Sequence, residues 1–166
     1  MFVNQAFLDW GLEKDFLINI SSHTANLWDG GNRPVSMTTL DTVGKGIVGM
    51  LAHLEETKNR AVYVHDTVIS QLELIDIVKS IDGKEWETKQ ASTKEAREQA
   101  AKDLASGDQS KIMPALFGGL NSAIYAEGYG NDLTGRTDNE LFGIKEMGRE
   151  EVKEVVRKIV EGKNKA

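Results

Sequence analysis

The residues whose types and spacing could do chemistry are Gly44-Lys45-Gly46-Ile47-Val48-Gly49, a literal G-x-G-x-x-G run with an acid, Asp66, following the apolar stretch Ala61-Val62-Tyr63-Val64. In a nucleotide-binding βαβ unit such glycines form the turn that bares helix N-terminal amides to a pyrophosphate, and the acid takes a ribose hydroxyl. That chemistry requires a strand ending at the first glycine. Here Thr39-Leu40-Asp41-Thr42-Val43 precedes it, a helix start, so Gly44 to Gly49 reads as a helix that packs closely on a neighbour. Other constellations are sparser. His23, His53 and His65 show no zinc-ligand spacing, and no serine lies in a G-x-S-x-G elbow. Tyr63 is followed four residues on by Thr67, where a Tyr-x-x-x-Lys reductase pair would need lysine. Five aromatic residues remain as candidates for an apolar binding pocket: Phe7, Trp10 and Trp28, with Tyr125 and Tyr129 as a helix-to-loop wall. No residue is assigned as catalytic or as a metal ligand.

The elements that must position these groups alternate along the chain, so the expected class is α/β in one domain over residues 1–166. A strand and turn over Phe2 to Leu12 is followed by a strand at Phe16 to Ile20. Ala25 to Trp28 and Pro34 to Met37 flank Asp29-Gly30-Gly31-Asn32, which reads as a β-hairpin. Leu40, Val43, Ile47, Val48 and Leu51 recur at helical spacing behind a Thr38 or Thr39 cap. Ala61 to Val64 reads as a strand buried on both faces that wants a neighbour on each side.

Ser70-Gln71-Leu72-Glu73 and Ser92-Thr93-Lys94-Glu95 have capping-box spacing, and each opens a helix. Asp82-Gly83 ends the first, and Trp86 to Thr88 offers a short strand between the two. Pro114 predicts a kink, or a restart near Ala115, in the helix from Asp108 to Ala126. Val152, Val155, Val156 and Ile159 form the apolar stripe of a last helix, with Lys153, Arg157 and Lys158 outside it.

Composition narrows the function classes. A formal net charge of −6 gives no basic field for nucleic acid, and there is no cysteine for a disulfide, thiolate nucleophile or thiolate metal site. No apolar run is long enough for a membrane span, and Asp9, Glu13 and Asp15 interrupt any signal-like stretch. The expected location is therefore the cytoplasm.

Four blocks have a familiar order: Phe7-Leu8-Asp9-Trp10-Gly11-Leu12, Leu27-Trp28-Asp29-Gly30-Gly31-Asn32, Thr39-Leu40-Asp41-Thr42-Val43-Gly44 and Glu127-Gly128-Tyr129-Gly130. From about Val3 to Val160 the chain resembles the C-terminal half of the NmrA-like, isoflavone-reductase-like proteins, a branch of the atypical short-chain dehydrogenase/reductases. The resemblance implies an incomplete NAD(P)-binding Rossmann-type protein that keeps the substrate-domain hairpin and helices and the late sheet strands. The glycine-rich NADP turn and the catalytic lysine would belong to an N-terminal half that is absent. It also implies that Phe7 lies near both nicotinamide and substrate, that Asp9 and Trp10 stabilise the adjoining turn, and that Gly44 to Gly49 is a helix after the hairpin.

On this resemblance the implied function is the substrate-binding portion of an NAD(P)-dependent oxidoreductase acting on small aromatic or carbonyl-like molecules, without independent turnover. The alternative is an NmrA-type redox-sensing or protein-binding module. NADP or NAD would be the family's cofactor, not held by this chain alone. Expected partners are a small-molecule substrate and a protein partner or a second copy, the latter through Ala61 to Val64 left exposed or re-paired.

Overall fold

The computed structural model describes residues 1–164. Strand and helix alternate along them: β1 (Phe2–Val3), β2 (Ala6–Phe7), α1 (Leu8–Glu13), β3 (Thr24–Trp28), β4 (Val35–Thr38), α2 (Leu40–Ala52), α3 (Leu54–Thr57), β5 (Val62–Tyr63), β6 (Thr67–Ile69), α4 (Gln71–Asp82), β7 (Glu87–Ala91), α5 (Thr93–Ala105), α6 (Gln109–Tyr125) and α7 (Arg149–Lys163). The fold is α/β. β1 pairs with β5, β2 with β4 and β3 with β7, all parallel, and only β4 and β6 run antiparallel. Each parallel pair is separated in sequence by at least one helix, as parallel neighbours require. Among the described residues no helix is long and apolar enough to cross a membrane.

Two strand expectations are corrected. β3 and β4 flank the reversal at Asp29 to Asn32 but belong to different sheets, so there is no hairpin. The reversal itself forms: Gly30 and Gly31 sit at φ 94° and 75°, and the Gly31 N–H donates to the Trp28 carbonyl at 2.9 Å. The Asp29 carboxylate, however, accepts from the N–H and the hydroxyl of Thr93, which fastens the turn to the start of α5 and not to β4. Phe16 to Ile20 is an irregular loop with one bridge, Asn19 to Thr24, bent because the Asp15 carboxylate gathers the N–H groups of Ile20 and Ser21.

The helices follow their local signals more closely. Thr39 caps α2 by accepting the Thr42 N–H, and Ser70 and Glu73 form the full reciprocal box on α4. Ser92 accepts the Glu95 N–H without the return bond. α6 runs through Pro114 as one helix instead of breaking. The proline falls in the second turn, where it removes a single backbone bond, to the Ser110 carbonyl. α5 and α6 fold back on each other across Gly107, at φ 71°, and pack chiefly against one another. The main core joins Leu8 and Leu12 of α1 to Leu74, Ile77 and Val78 of α4 and to Val152, Val156, Ile159 and Val160 of α7, with Val155 partly buried beside them.

The glycine-rich run lies inside α2. A Cβ on Gly46 would stand 2.8 Å from the Phe2 ring, and one on Gly49 2.6 Å from Phe142, so two of the three glycines permit close packing. Gly44 meets nothing within 4 Å. Asp66 is buried and turned to the start of α2, where Oδ2 accepts the Thr39 N–H at 2.5 Å and the Thr39 hydroxyl at 2.8 Å while Oδ1 accepts the Thr42 hydroxyl at 2.7 Å. The Asp9 carboxylate takes the Leu40 N–H at 3.0 Å. At the start of α2 the N–H groups of Thr39 and Leu40 therefore go to carboxylates and that of Thr42 to the Thr39 hydroxyl.

β5 is buried on one face, at Val62, and only half-buried on the other, at Tyr63, where the sequence suggested burial on both; its far edge is covered from within the chain. There the Tyr63 N–H donates to the Asp138 carboxylate at 2.9 Å, and the Tyr63 carbonyl accepts the Asp138 N–H at 2.7 Å. One residue takes the place of a neighbouring strand.

Two measurements test these ties. Asp66→Ala strands three buried donors and is expected to lower stability by about 2–4 kcal/mol in urea denaturation; a loss below 1 kcal/mol on the same scale would refute the anchoring role. Burial pushes the Asp138 carboxyl up, but hydrogen bonds from Arg60 and the Tyr63 N–H outweigh it and hold the group below the usual carboxylate range. A carboxyl depressed on folding contributes stability that is complete above its unfolded value and lost as pH falls through the folded one. Asp138→Asn should thus be less stable than the parent at pH 7, with the gap narrowing below about pH 4. A gap independent of pH would contradict the pairing.

Candidate functional site

β2 ends at Phe7, which has extended backbone angles at the head of α1. Leu8 and Leu12 point into the core, which turns Phe7 and Trp10 outward, 38% and 39% exposed. Gln5, in the left-handed region at φ 55°, steps the chain from β1 into β2 beside them. The loop after α1 returns Phe16 to Trp10, ring centres 6.2 Å apart, and Phe16 also meets Phe117 of α6 at 5.9 Å. Leu120, Ala123 and Ile124 come from the same helical face of α6, Leu40 from the start of α2, and Tyr129 and Asn131 from the segment after α6. Together with Ala6 and Leu17 they enclose an open groove of about 620 Å³. That volume suits a molecule of two or three fused rings.

The groove is nearly all apolar, and no charged side chain lines it among the described residues. Its polar groups are few. The Tyr129 hydroxyl accepts from Arg97 at 2.9 Å, which leaves its own O–H to donate. The Asn131 amide donates to the carbonyls of Ala123 and Ile124, both at 2.6 Å, and so fixes the end of α6 against the groove. Gln5 supplies a further amide. This arrangement can hold an uncharged ring system and orient it through one or two hydrogen bonds. A charged ligand would lose its hydration there with nothing to replace it.

Of the five aromatic candidates, the structure brings Phe7, Trp10 and Tyr129 together here. Trp28 lies elsewhere. It packs against the core at the end of β3 and lines a separate, polar pocket of about 310 Å³ with Asn19, Asn26 and Asn121, across Phe16 and Leu17 from the groove. Tyr125 is also misplaced by the sequence expectation: it is buried to 1% exposure inside the core. Leu120 and Ile124 share a helical face, and the next residue is turned by about 100° to the inside. Burial pushes the Tyr125 phenol far above its ordinary range, and among the described residues its hydroxyl has no hydrogen-bond partner.

Sequence reasoning missed Gln5, Phe16, Leu40, Leu120, Ile124 and Asn131 as lining residues. Leu120 and Ile124 carried a usable signal, an i, i+4 apolar pair in a helix already rich in apolar residues.

A second cluster was also unforeseen. His65, fully buried, contacts Ser36 Oγ through Nδ1 at 2.8 Å and Glu146 Oε1 through Nε2 at 2.9 Å. The trio has the contacts of a hydrolase triad, but Ser36 is fully buried and its Oγ accepts the Leu133 N–H at 2.8 Å. No substrate reaches that oxygen. Asn139 brackets the His65 peptide from the other side, accepting its N–H and donating to its carbonyl. The cluster therefore ties the 131–148 segment, and with it Asn131, to β4. Among the described residues no group of three or more histidine or acidic side chains is placed to hold a metal ion.

No family model matches the chain. It is similar to two fungal proteins named as oxidoreductases. The oxidoreductase poxI of Penicillium oxalicum is 27% identical over 164 residues, covering 93% of this chain and 49% of the relative. The oxidoreductase aprR of Aspergillus flavus is 26% identical over 163 residues, covering 97% and 52%. The fold is similar to the crystal structure of a nucleoside-diphosphate-sugar epimerase from Staphylococcus aureus, with a TM-score of 0.58 and 17% identity, over 91% of this chain and 50% of that one. The chain thus spans about half the length of the relatives it matches, and its architecture is that of part of a Rossmann-type α/β protein.

Tyr125→Phe discriminates a core role from a binding role. Removing an unpartnered buried hydroxyl should leave stability unchanged or raise it by up to about 1 kcal/mol in urea denaturation, with binding in the groove unaffected. A clear loss of stability or of ligand affinity would return Tyr125 to the site.

Proposed function

We propose that this chain is the substrate-binding portion of an NmrA-like, isoflavone-reductase-like NAD(P)-dependent oxidoreductase, and that the groove between α1, α6 and the Tyr129 segment seats an uncharged aromatic or carbonyl-bearing substrate. The observation that carries this reading is the aromatic, charge-free groove with Phe7 at its mouth. The two relatives named as oxidoreductases support it. Hydride transfer needs donor and acceptor aligned in a site from which water is largely excluded. The groove provides one side of such a site: Phe7 and Leu40 are exposed and apolar beside the bound ring, a fit for the flat face of a nicotinamide.

The rest of a dinucleotide does not fit these residues. Its phosphates want free amides at a helix N-terminus, and at α2 the N–H groups of Thr39, Leu40 and Thr42 are taken by Asp66, Asp9 and the Thr39 hydroxyl, the first two of them carboxylates that would repel an anion. The glycine-rich run at α2 therefore offers the pyrophosphate no seat. The chain on its own is expected to bind neither NADP nor NAD tightly.

Isothermal titration with two near-isosteric probes, 2-acetylnaphthalene and 2-naphthoate, tests the substrate side. The neutral ketone should bind saturably and at least about tenfold more tightly than the anion, and Phe7→Ala should weaken it by roughly tenfold. Equal affinity for both probes, or binding of neither, sinks the proposal. Saturable heat from NADP on the chain alone would show that the phosphates do have a seat here.

A further inference from the structure

We infer that the polar pocket between the β3–β7 sheet, the loop after α1 and α6 is a second ligand site, distinct from the apolar groove, and that it seats one neutral pyranose ring.

β3 and β7 pair in parallel, with Thr24 opposite Glu87 and Asn26 opposite Lys89. Side chains two apart on a strand share a face, and paired residues share it across the ladder, so Ala25 and Leu27 go to the core while Thr24, Asn26 and Trp28 stand with Glu87 and Lys89 on the other face. Left open, that face would be an ordinary wet sheet surface. Here the segment from Asp15 to Asn19 and Asn121 of α6 rise around it and enclose about 310 Å³. The space is enough for one six-membered ring with its substituents.

Its lining pairs aromatic surface with unspent amides. Trp28, half-buried with its body against the core, and Phe16 supply the first. Three asparagines supply the second. Asn19 Oδ1 accepts the Ser22 N–H at 2.9 Å, which leaves its NH2 group to donate. Asn26, exposed on the sheet face, is bonded among the described residues only through its peptide groups, to Gln71 and along the strand. Asn121 donates through Nδ2 to the Phe117 carbonyl at 3.0 Å, while its Oδ1 is shut off from water and, among the described residues, meets no donor. An unmatched buried acceptor is unfavourable, and a ligand hydroxyl is the donor it lacks.

The charges at the pocket are already paired. The Asp15 carboxylate is spent on the Ser21 hydroxyl and on the Lys163 ammonium at 3.0 Å, and Lys89 stands 3.6 Å from Glu87. An ionic ligand would have to break up one of these pairs. A neutral polyol need not, because hydroxyls both donate and accept and so match amide NH2, amide carbonyl and carboxylate alike. The C–H face of a pyranose can meanwhile cover the aromatic surface with no polar atom left unpaired. A flat aromatic molecule is the worse fit, since it would cover the three amides without bonding to them. Phe16 and Leu17 line both this pocket and the groove, so two spaces of opposite chemistry share one partition.

NMR titration of the isotope-labelled chain with methyl β-D-glucopyranoside, methyl β-D-galactopyranoside and methyl α-D-mannopyranoside tests the site. At least one should saturate with a dissociation constant of about 10 mM or tighter, moving the side-chain amide signals of Asn19, Asn26 and Asn121 and the Trp28 indole signal. Asn26→Ala, at an exposed position, and Asn121→Ala should each weaken binding by at least about fivefold, whereas Phe7→Ala in the groove should leave it unchanged. D-Glucuronate and cyclohexylmethanol should each bind at least about fivefold more weakly than the best glycoside. Absence of saturation by all three glycosides up to about 50 mM overturns the site, as does saturation that both asparagine variants leave intact. Equal binding of glucuronate overturns the neutral class, and equal binding of cyclohexylmethanol overturns recognition of the hydroxyls. The ketone 2-acetylnaphthalene addresses the groove alone, so its failure to bind leaves this site standing, and failure of the glycosides leaves the groove.

Discussion

A carboxylate with almost no access to water holds the first turn of α2 in place. Asp66 receives the Thr39 N–H and the hydroxyls of Thr39 and Thr42, and its own peptide bonds the Met37 carbonyl of β4 on one side and the Met147 N–H on the other. Burying such a charge is unfavourable unless every lone pair is used, and here donors surround it. The consequence is geometric: the helix axis, the central strand of the largest sheet and the segment entering α7 share one fixed point. Leu40 and Phe7 keep their places at the groove because Asp9, in the first turn of α1, anchors the next amide of the same helix.

Short strands force a second economy of structure. Sheets of two or three strands with two to five residues each leave many peptide groups without a ladder partner, and buried peptide groups must bond to something. Side chains fill the gap. Asp138 stands beside β5 as a strand would, and Asn139 does the same for the His65 peptide. Gln71, the first residue of α4, accepts the Trp28 N–H and donates to the carbonyls of Leu17 and Asn26, joining β3 to the loop behind α1. These contacts join residues 43 to 75 apart along the chain.

Elements decided by their neighbours in sequence were legible. The Thr39, Ser70 and Ser92 caps, the αL glycine after α4 and the apolar stripe of α7 follow from rules that act within two turns of helix. Strand partners were not, because nothing near Gly30 and Gly31 shows that Asp29 will be claimed by Thr93 more than sixty residues on. The groove divides in the same way. Phe7 and Trp10 share a short helix start and lie together, whereas Trp28 and Tyr125, equally aromatic, are taken elsewhere, Trp28 by strand pairing to the polar pocket and Tyr125 by the turn angle of α6 to the core. Phe16 was assigned to a strand, which hid its part in the wall.

The α5–α6 excursion carries the groove's far wall on an almost self-contained unit. It leaves the body at the Asp29–Thr93 bond and returns through Tyr125 and the Asn131 amide, while Leu120, Ala123 and Ile124 face the groove in between. Changes at these three positions alter the width and chemistry of the opening without disturbing any strand register. Drift along one helix can therefore reshape the groove while the load of correct folding stays on the sheets and on Asp66.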